Sequence, residues 1–211
     1  PLAALVRDGD AQGKENAAAA LRNLATGDAD IKEAVEAAGA LVPLAVLVRD
    51  GDAQGKVNAV GALANLASGD AAIQAAIVAA GALEPLAALV RDGDAQGMAF
   101  AACALANLAS GDVANKAAIV AAGALEPLAA LVRDGDAQGK ENAAAALRNL
   151  ATGDADIKEA VEAAGALVPL AVLVRDGDAQ GKVNAVGALA NLASGDAAIQ
   201  AAIVAAGALE P

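Results

Sequence analysis

The residues able to do chemistry are few and cluster in the middle of the chain. Cys103 is the only thiol among 211 residues; it follows Phe100, the only aromatic, and Met98, the only methionine. On a helix, Phe100, Cys103 and Asn107 fall at i, i+3 and i+7 and share one face. One reading is a central pocket in which Phe100 packs a ligand beside a reactive or attachable thiol. The plainer reading, local repacking around a buried, inert Cys with Met filling space, is favoured. No His exists to activate the thiol and nearby cations are sparse, so nothing in the sequence lowers its pKa. The missing His also removes imidazole metal sites and every dyad or triad with His as base, and a lone Cys cannot form an internal disulfide. The chain therefore reads as a non-enzyme that needs no cofactor and no metal.

Other candidates yield to structural readings. Asp8-Gly9-Asp10-Ala11-Gln12-Gly13 opens like a calcium loop, but its twelfth position is Ala19 where a bidentate Glu is required. An interhelical turn with Asp10 as helix cap fits better. Gly9 to Lys14 lacks the glycine spacing, the Ser or Thr after Lys14 and the preceding strand of a phosphate loop. Glu33 and Glu36 stand at i, i+3 on what should be a solvated helix face.

The elements that must position these residues come from a repeat. A 42-residue unit, opened by Pro1, returns at Pro43, Pro85, Pro127 and Pro169, and Pro211 would open a sixth. Each unit carries three helical patterns. Ile31, Ala34, Val35 and Ala38 follow Asp28 at helical spacing, and Gly39 stops the run. Leu41, Leu44, Leu47 and Val48 continue through Pro43, which suits a first helical turn. After Asp10, Ala17, Ala20, Leu21 and Leu24 share one face of a longer helix. Asp28, Asp70, Asp112, Asp154 and Asp196 are expected to cap the first helix of each unit, and Asp10, Asp52, Asp94, Asp136 and Asp178 the third. Gly9, Gly27 and Gly39 mark the helix ends. Repeats of this length point to stacked helical units and one solenoid domain over 1–211, with repeats 1–42, 43–84, 85–126, 127–168 and 169–210. Ala supplies 67 residues, which suits close helix stacking.

Bulk numbers limit the partners. The chain is 57% apolar, too hydrophobic for disorder, and its net charge of −12 argues against nucleic acid and anionic membranes. Its longest uncharged stretch, Ala95 to Gly111, holds Gln96, Asn107, Ser110 and two glycines, so no membrane span is expected. No targeting signal is legible, and a cytoplasmic setting is the default expectation.

The runs Gly13 to Ala25 (GKENAAAALRNLA) and Ala37 to Leu44 (AAGALVPL) closely resemble the armadillo repeat, and five in-phase copies extend the resemblance over the whole chain. The resemblance implies an all-α, right-handed superhelical solenoid of three-helix units whose third helices line a concave groove for extended peptides. It maps the family's ladder asparagine, which holds the peptide backbone, onto Asn23, Asn65, Asn107, Asn149 and Asn191. It also places Phe100 and Cys103 in that groove. The Trp common four residues before the ladder Asn is replaced by Ala19, Gly61, Cys103, Ala145 and Gly187, so the groove lacks large anchors and modest affinity is expected. Arg22 and Arg148 precede ladder residues where other units have Ala; they either grade charge along the groove or have no purpose.

Residues 1–42 are identical to 127–168, and 43–84 to 169–210, loops included. Three units were copied once and the copy shortened, which indicates an engineered or consensus-like array in preference to recent duplication. The expected function is a structural scaffold with a latent groove, stacking head to tail through uncapped ends. The alternative is a working module that holds a basic extended peptide along the Asn ladder.

Overall fold

The computed structural model describes residues 1–195 and 197–209. Within them lie fifteen α-helices and no strand: α1 Leu2–Asp8, α2 Ala11–Leu24, α3 Ala29–Ala37, α4 Leu41–Asp50, α5 Ala53–Ala67, α6 Ala71–Ala79, α7 Leu83–Asp92, α8 Ala95–Ala109, α9 Val113–Ala121, α10 Leu125–Asp134, α11 Ala137–Leu150, α12 Ala155–Ala163, α13 Leu167–Asp176, α14 Ala179–Ala193 and α15 Ala197–Ala205. None is long and apolar enough by itself to cross a membrane.

Local chemistry sets the boundaries. Asp10, Asp52, Asp94, Asp136 and Asp178 each accept from the backbone N–H three residues on, at 2.7 Å, and cap α2, α5, α8, α11 and α14. Asp28, Asp70, Asp112 and Asp154 do the same for α3, α6, α9 and α12. Asp196 and Pro211 lie outside the described residues. Gly39 and its four equivalents take φ between 69° and 81°, the left-handed conformation that ends the first helix of each unit. Gly9 ends its helix differently, with extended backbone, and is small because a Cβ would lie 2.6 Å from the Leu5 carbonyl oxygen.

The packing unit is shifted in phase from the sequence unit. Helices α3–α5, α6–α8, α9–α11 and α12–α14 form four complete triplets, preceded by the pair α1–α2 and followed by α15. The third helices α2, α5, α8, α11 and α14 stack directly on one another, with α1, α4, α7, α10 and α13 packed beside them and each short first helix against the third helix that precedes it. Alanine makes the close stacking possible: Ala59, Ala62, Ala101, Ala104, Ala143 and Ala146 are fully buried between neighbouring third helices. Leu44, Leu63, Leu66, Leu86, Leu105, Leu108, Leu128, Leu147 and Leu150 fill the space behind them.

Candidate functional site

The ladder asparagines are set by the third helices, one per helix. Asn65, Asn107, Asn149 and Asn191 are half-buried and make the same contact: each side-chain Nδ2 donates to the carbonyl 43 residues earlier. The acceptors are Arg22, Ala64, Ala106 and Arg148, at 2.9–3.0 Å. Each acceptor lies in the last four residues of its helix, where carbonyls have no intrahelical partner. The ladder amide therefore caps the helix of the preceding unit. At Asn65, Asn149 and Asn191 one amide proton and the Oδ1 remain for other partners among the described residues; at Asn107 the Nδ2 also reaches Cys103 Sγ at 4.0 Å. Asn23, on α2, is exposed.

A second ladder runs parallel, seven residues earlier. Asn58, Asn142 and Asn184 donate to Glu15, Ala99 and Glu141 carbonyls, again 43 residues back, at 3.4, 2.8 and 3.1 Å. Phe100 stands at this position in the central unit, so the anomaly is an aromatic ring inserted into an amide ladder. It is half-buried and packs against the core. The sequence did carry the signal: an Asn seven residues before the ladder Asn in four of five units.

Arg22 and Arg148 have a place that sequence reasoning missed. The Arg22 stem crosses Gly61, where a Cβ would sit 2.5 Å from Arg22 Cδ and 3.7 Å from Phe100 Cδ2. Arg148 crosses Gly187 in the same way and donates from Nη1 to Asn184 Oδ1 at 3.0 Å. The alternation is thus a packing match between an Arg in one unit and a Gly in the next. Polar bridges close each junction nearby: Lys32 to Ser68, Lys116 to Thr152 and Lys158 to Ser194 at 2.8–2.9 Å, and Gln74 to the Asn107 carbonyl at 3.2 Å.

Residues 112–152, the stretch holding α9–α11, match the family model of the Armadillo/beta-catenin-like repeat. No curated protein matches the sequence. Among solved structures, a crystallised engineered protein is 37% identical over 99% of this chain and 86% of its own, with a TM-score of 0.94. The designed armadillo repeat protein YIII(Dq)4CqI is 34% identical over 98% and 87%, with a TM-score of 0.93. A designed armadillo repeat protein in complex with the peptide (KR)4 is 34% identical over 99% and 87%, with a TM-score of 0.91. The chain belongs to the armadillo-repeat family.

Peptide-binding armadillo proteins commonly keep a Trp four residues before the ladder Asn. At Gly61 and Gly187 this place is covered by the arginine stems. At Cys103 the thiol is half-buried, 4.0 Å from the ladder amide Nδ2 of Asn107. Burial pushes this thiol above its ordinary pKa and the Glu141 carboxylate adds to the rise, so the neutral form is favoured. Phe100, Cys103 and Asn107 do share one helix face, as their spacing requires. The calcium-like segment is engaged otherwise: Asp10 caps its helix, and Asp8 pairs with Arg7 at 2.9 Å. Among the described residues no cluster of acidic and Cys side chains could hold a metal.

Proposed function

We propose that the chain is an engineered armadillo scaffold whose ladder asparagines act first on the protein itself, leaving a concave face that takes extended basic peptides only weakly. The observation that carries this is the Nδ2-to-carbonyl bond linking each ladder Asn to the preceding helix end. The part of each ladder amide not used on the preceding helix would only exchange water for peptide backbone, which gains little, and the arginine stems over Gly61 and Gly187 take the room an aromatic anchor would fill. Basic ligands are favoured by the net charge of −12 and by half-buried Glu15 and Glu141 on the third helices. The neighbour bound to (KR)4 supports the same polarity. Nothing in the reading requires catalysis, and the sequence has no His to supply a general base.

Anisotropy titration with a fluorescein-labelled Lys/Arg octapeptide tests this. The expected Kd is on the order of 100 μM or weaker. A Kd near 1 μM, lost in Asn107→Ala/Asn149→Ala protein, would instead establish a working peptide module.

A second reading concerns self-association. Leu5, Leu24 and Ile31 on one end face, and Val183, Val186 and Val204 on the other, are exposed large apolar residues. Within the chain the equivalent faces cover each other, as α5 covers α2 and α8 covers α5. Helix α15 repeats the sequence of α6, and Leu2–Asp8 repeats Leu86–Asp92 of α7, so a second copy would meet the first as α7 meets α6. Head-to-tail stacking is the result. Sedimentation velocity should show mass rising with concentration; a monomer unchanged up to millimolar concentration would rule it out.

A further inference from the structure

Away from the ladder asparagines, near the start of each third helix, the second helices of adjacent units enclose a crevice. Four such crevices occupy equivalent positions along the repeat. The first and fourth hold about 600 and 610 Å³, the second 360 Å³ and the third 180 Å³. Sequence explains the grading. Val42 and Val46 wall the first, and Val168 and Val172 the fourth, all four exposed. Glu84 and Ala88, then Glu126 and Ala130, hold those positions in the smaller two. Lys14 and Lys140 line the large crevices; Met98 takes the same position in the third and fills it.

Charge selects among occupants of this apolar volume. In the first crevice Asp52 caps the Gly55 N–H and Asp50 is paired with Arg49 at 2.8 Å. Arg7 is paired with Asp8. Among the described residues the amine of Lys14 makes no hydrogen bond or ion pair, so it is the unpaired cation of the crevice, while the carboxylate of Asp52 is engaged by the Gly55 N–H. The fourth crevice has the same set: Asp178 caps Gly181, Arg133 pairs with Asp134, and Asp176 with Arg175. Lys140 lends its positive field to Asp134 without forming an ion pair. A volume of this size suits a small ligand that is mostly apolar with few polar points.

We infer that the two large crevices are equivalent binding sites for a small monoanion with an apolar body, its chain or ring against Val42 and Val46 (Val168 and Val172) and its single carboxylate or sulfonate on Lys14 (Lys140). The sites are distinct from the groove. They would give the scaffold two small-molecule positions 126 residues apart in sequence.

The probe is 8-anilinonaphthalene-1-sulfonate, titrated by fluorescence and calorimetry against the whole chain. Two equivalent sites are expected, falling to one in Val168→Glu protein and to none in Val42→Glu/Val168→Glu protein. Those variants carry what Glu84 and Glu126 already carry in the same fold, and circular dichroism should show their helices intact. Lys14→Gln/Lys140→Gln should weaken the sulfonate about three-fold and leave the neutral N-phenyl-1-naphthylamine unchanged. Sulfonate binding that survives Val42→Glu/Val168→Glu, or that is absent up to millimolar probe, overturns the site. Neutral and anionic probes binding alike, with no effect of the lysine changes, overturns the ligand class.

Discussion

Residues 43–84 and 169–210 have the same sequence and different surroundings. Val57 is 4% exposed and its twin Val183 57%; Val60 is 0% exposed and Val186 51%. The other duplicated pair differs at the opposite end, where Leu24 is 43% exposed and Leu150 0%. Helix formation and capping are unaffected, since Asp52 and Asp178 make the same cap at the same distance. Helices here are local products of sequence. Burial is conferred by the next unit, as expected of a solenoid whose stability is a sum of units and interfaces.

The sharpest way to break the comparison is to place a charge at both twins. Val60→Glu should cost about 3 kcal/mol or more, because an unpaired carboxylate is forced among α2, α5 and α8. Val186→Glu should stay within about 0.5 kcal/mol of the parent and reduce head-to-tail association. Urea melts followed at 222 nm decide this, and equal losses at the two sites would mean that the end face is covered in solution. A gentler version removes methyl groups: Leu150→Ala should cost about 2–5 kcal/mol through an unfilled cavity and Leu24→Ala less than about 1 kcal/mol.

The asparagine ladder permits the same test with a hydrogen bond. Asn107→Ala leaves the Ala64 carbonyl at the end of α5 without its cap and should cost about 1–2 kcal/mol. Asn23→Ala removes no cross-unit bond and should be close to neutral. If the two cost the same, the ladder does not hold units together and the reading of the groove changes with it.

How much of this was legible depended on distance along the chain. The helix starts were readable because Asp10 meets Gly13 three residues away, and the first-helix ends because Gly39 alone can take φ of 69° cheaply. The ladder positions were readable from family resemblance. Their acceptors were not, since Asn65 to the Arg22 carbonyl spans 43 residues and requires the register of two stacked helices. The second ladder was visible as Asn58, Asn142 and Asn184 but had no meaning without that register. Arg22 and Gly61 are 39 residues apart, and only stacking shows that the stem of one lies over the other.

That pair gives a smaller effect. Gly61→Ala adds a Cβ 2.5 Å from Arg22 Cδ, a flexible atom that must shift, while the helix gains about 1 kcal/mol of propensity. The two should nearly cancel. In an Arg22→Ala background the propensity gain should appear in full, so a double-mutant cycle by urea denaturation should read a coupling of about 1 kcal/mol. No coupling would mean that Arg22 leaves Gly61 freely in solution.

The smallest effect concerns thiols at one repeat position in two units. Cys103 is flanked by Glu141 of the following unit; Ala19 occupies the same repeat position, and Val57 stands where Glu141 would be. A thiol placed by Ala19→Cys in Cys103→Ala/Glu15→Ala protein, with the same-helix carboxylate one turn away removed to match Ala99, therefore lacks the following unit's carboxylate. Only the thiolate reacts with a disulfide reagent, so the Cys103 pKa, raised by burial and then by Glu141, delays its labelling to higher pH. The rate–pH curve of the Ala19→Cys thiol should rise first, and Glu141→Gln should move the Cys103 curve toward it. The reverse order would place Cys103 in an electropositive, open setting and revive the reactive-thiol reading of the central unit.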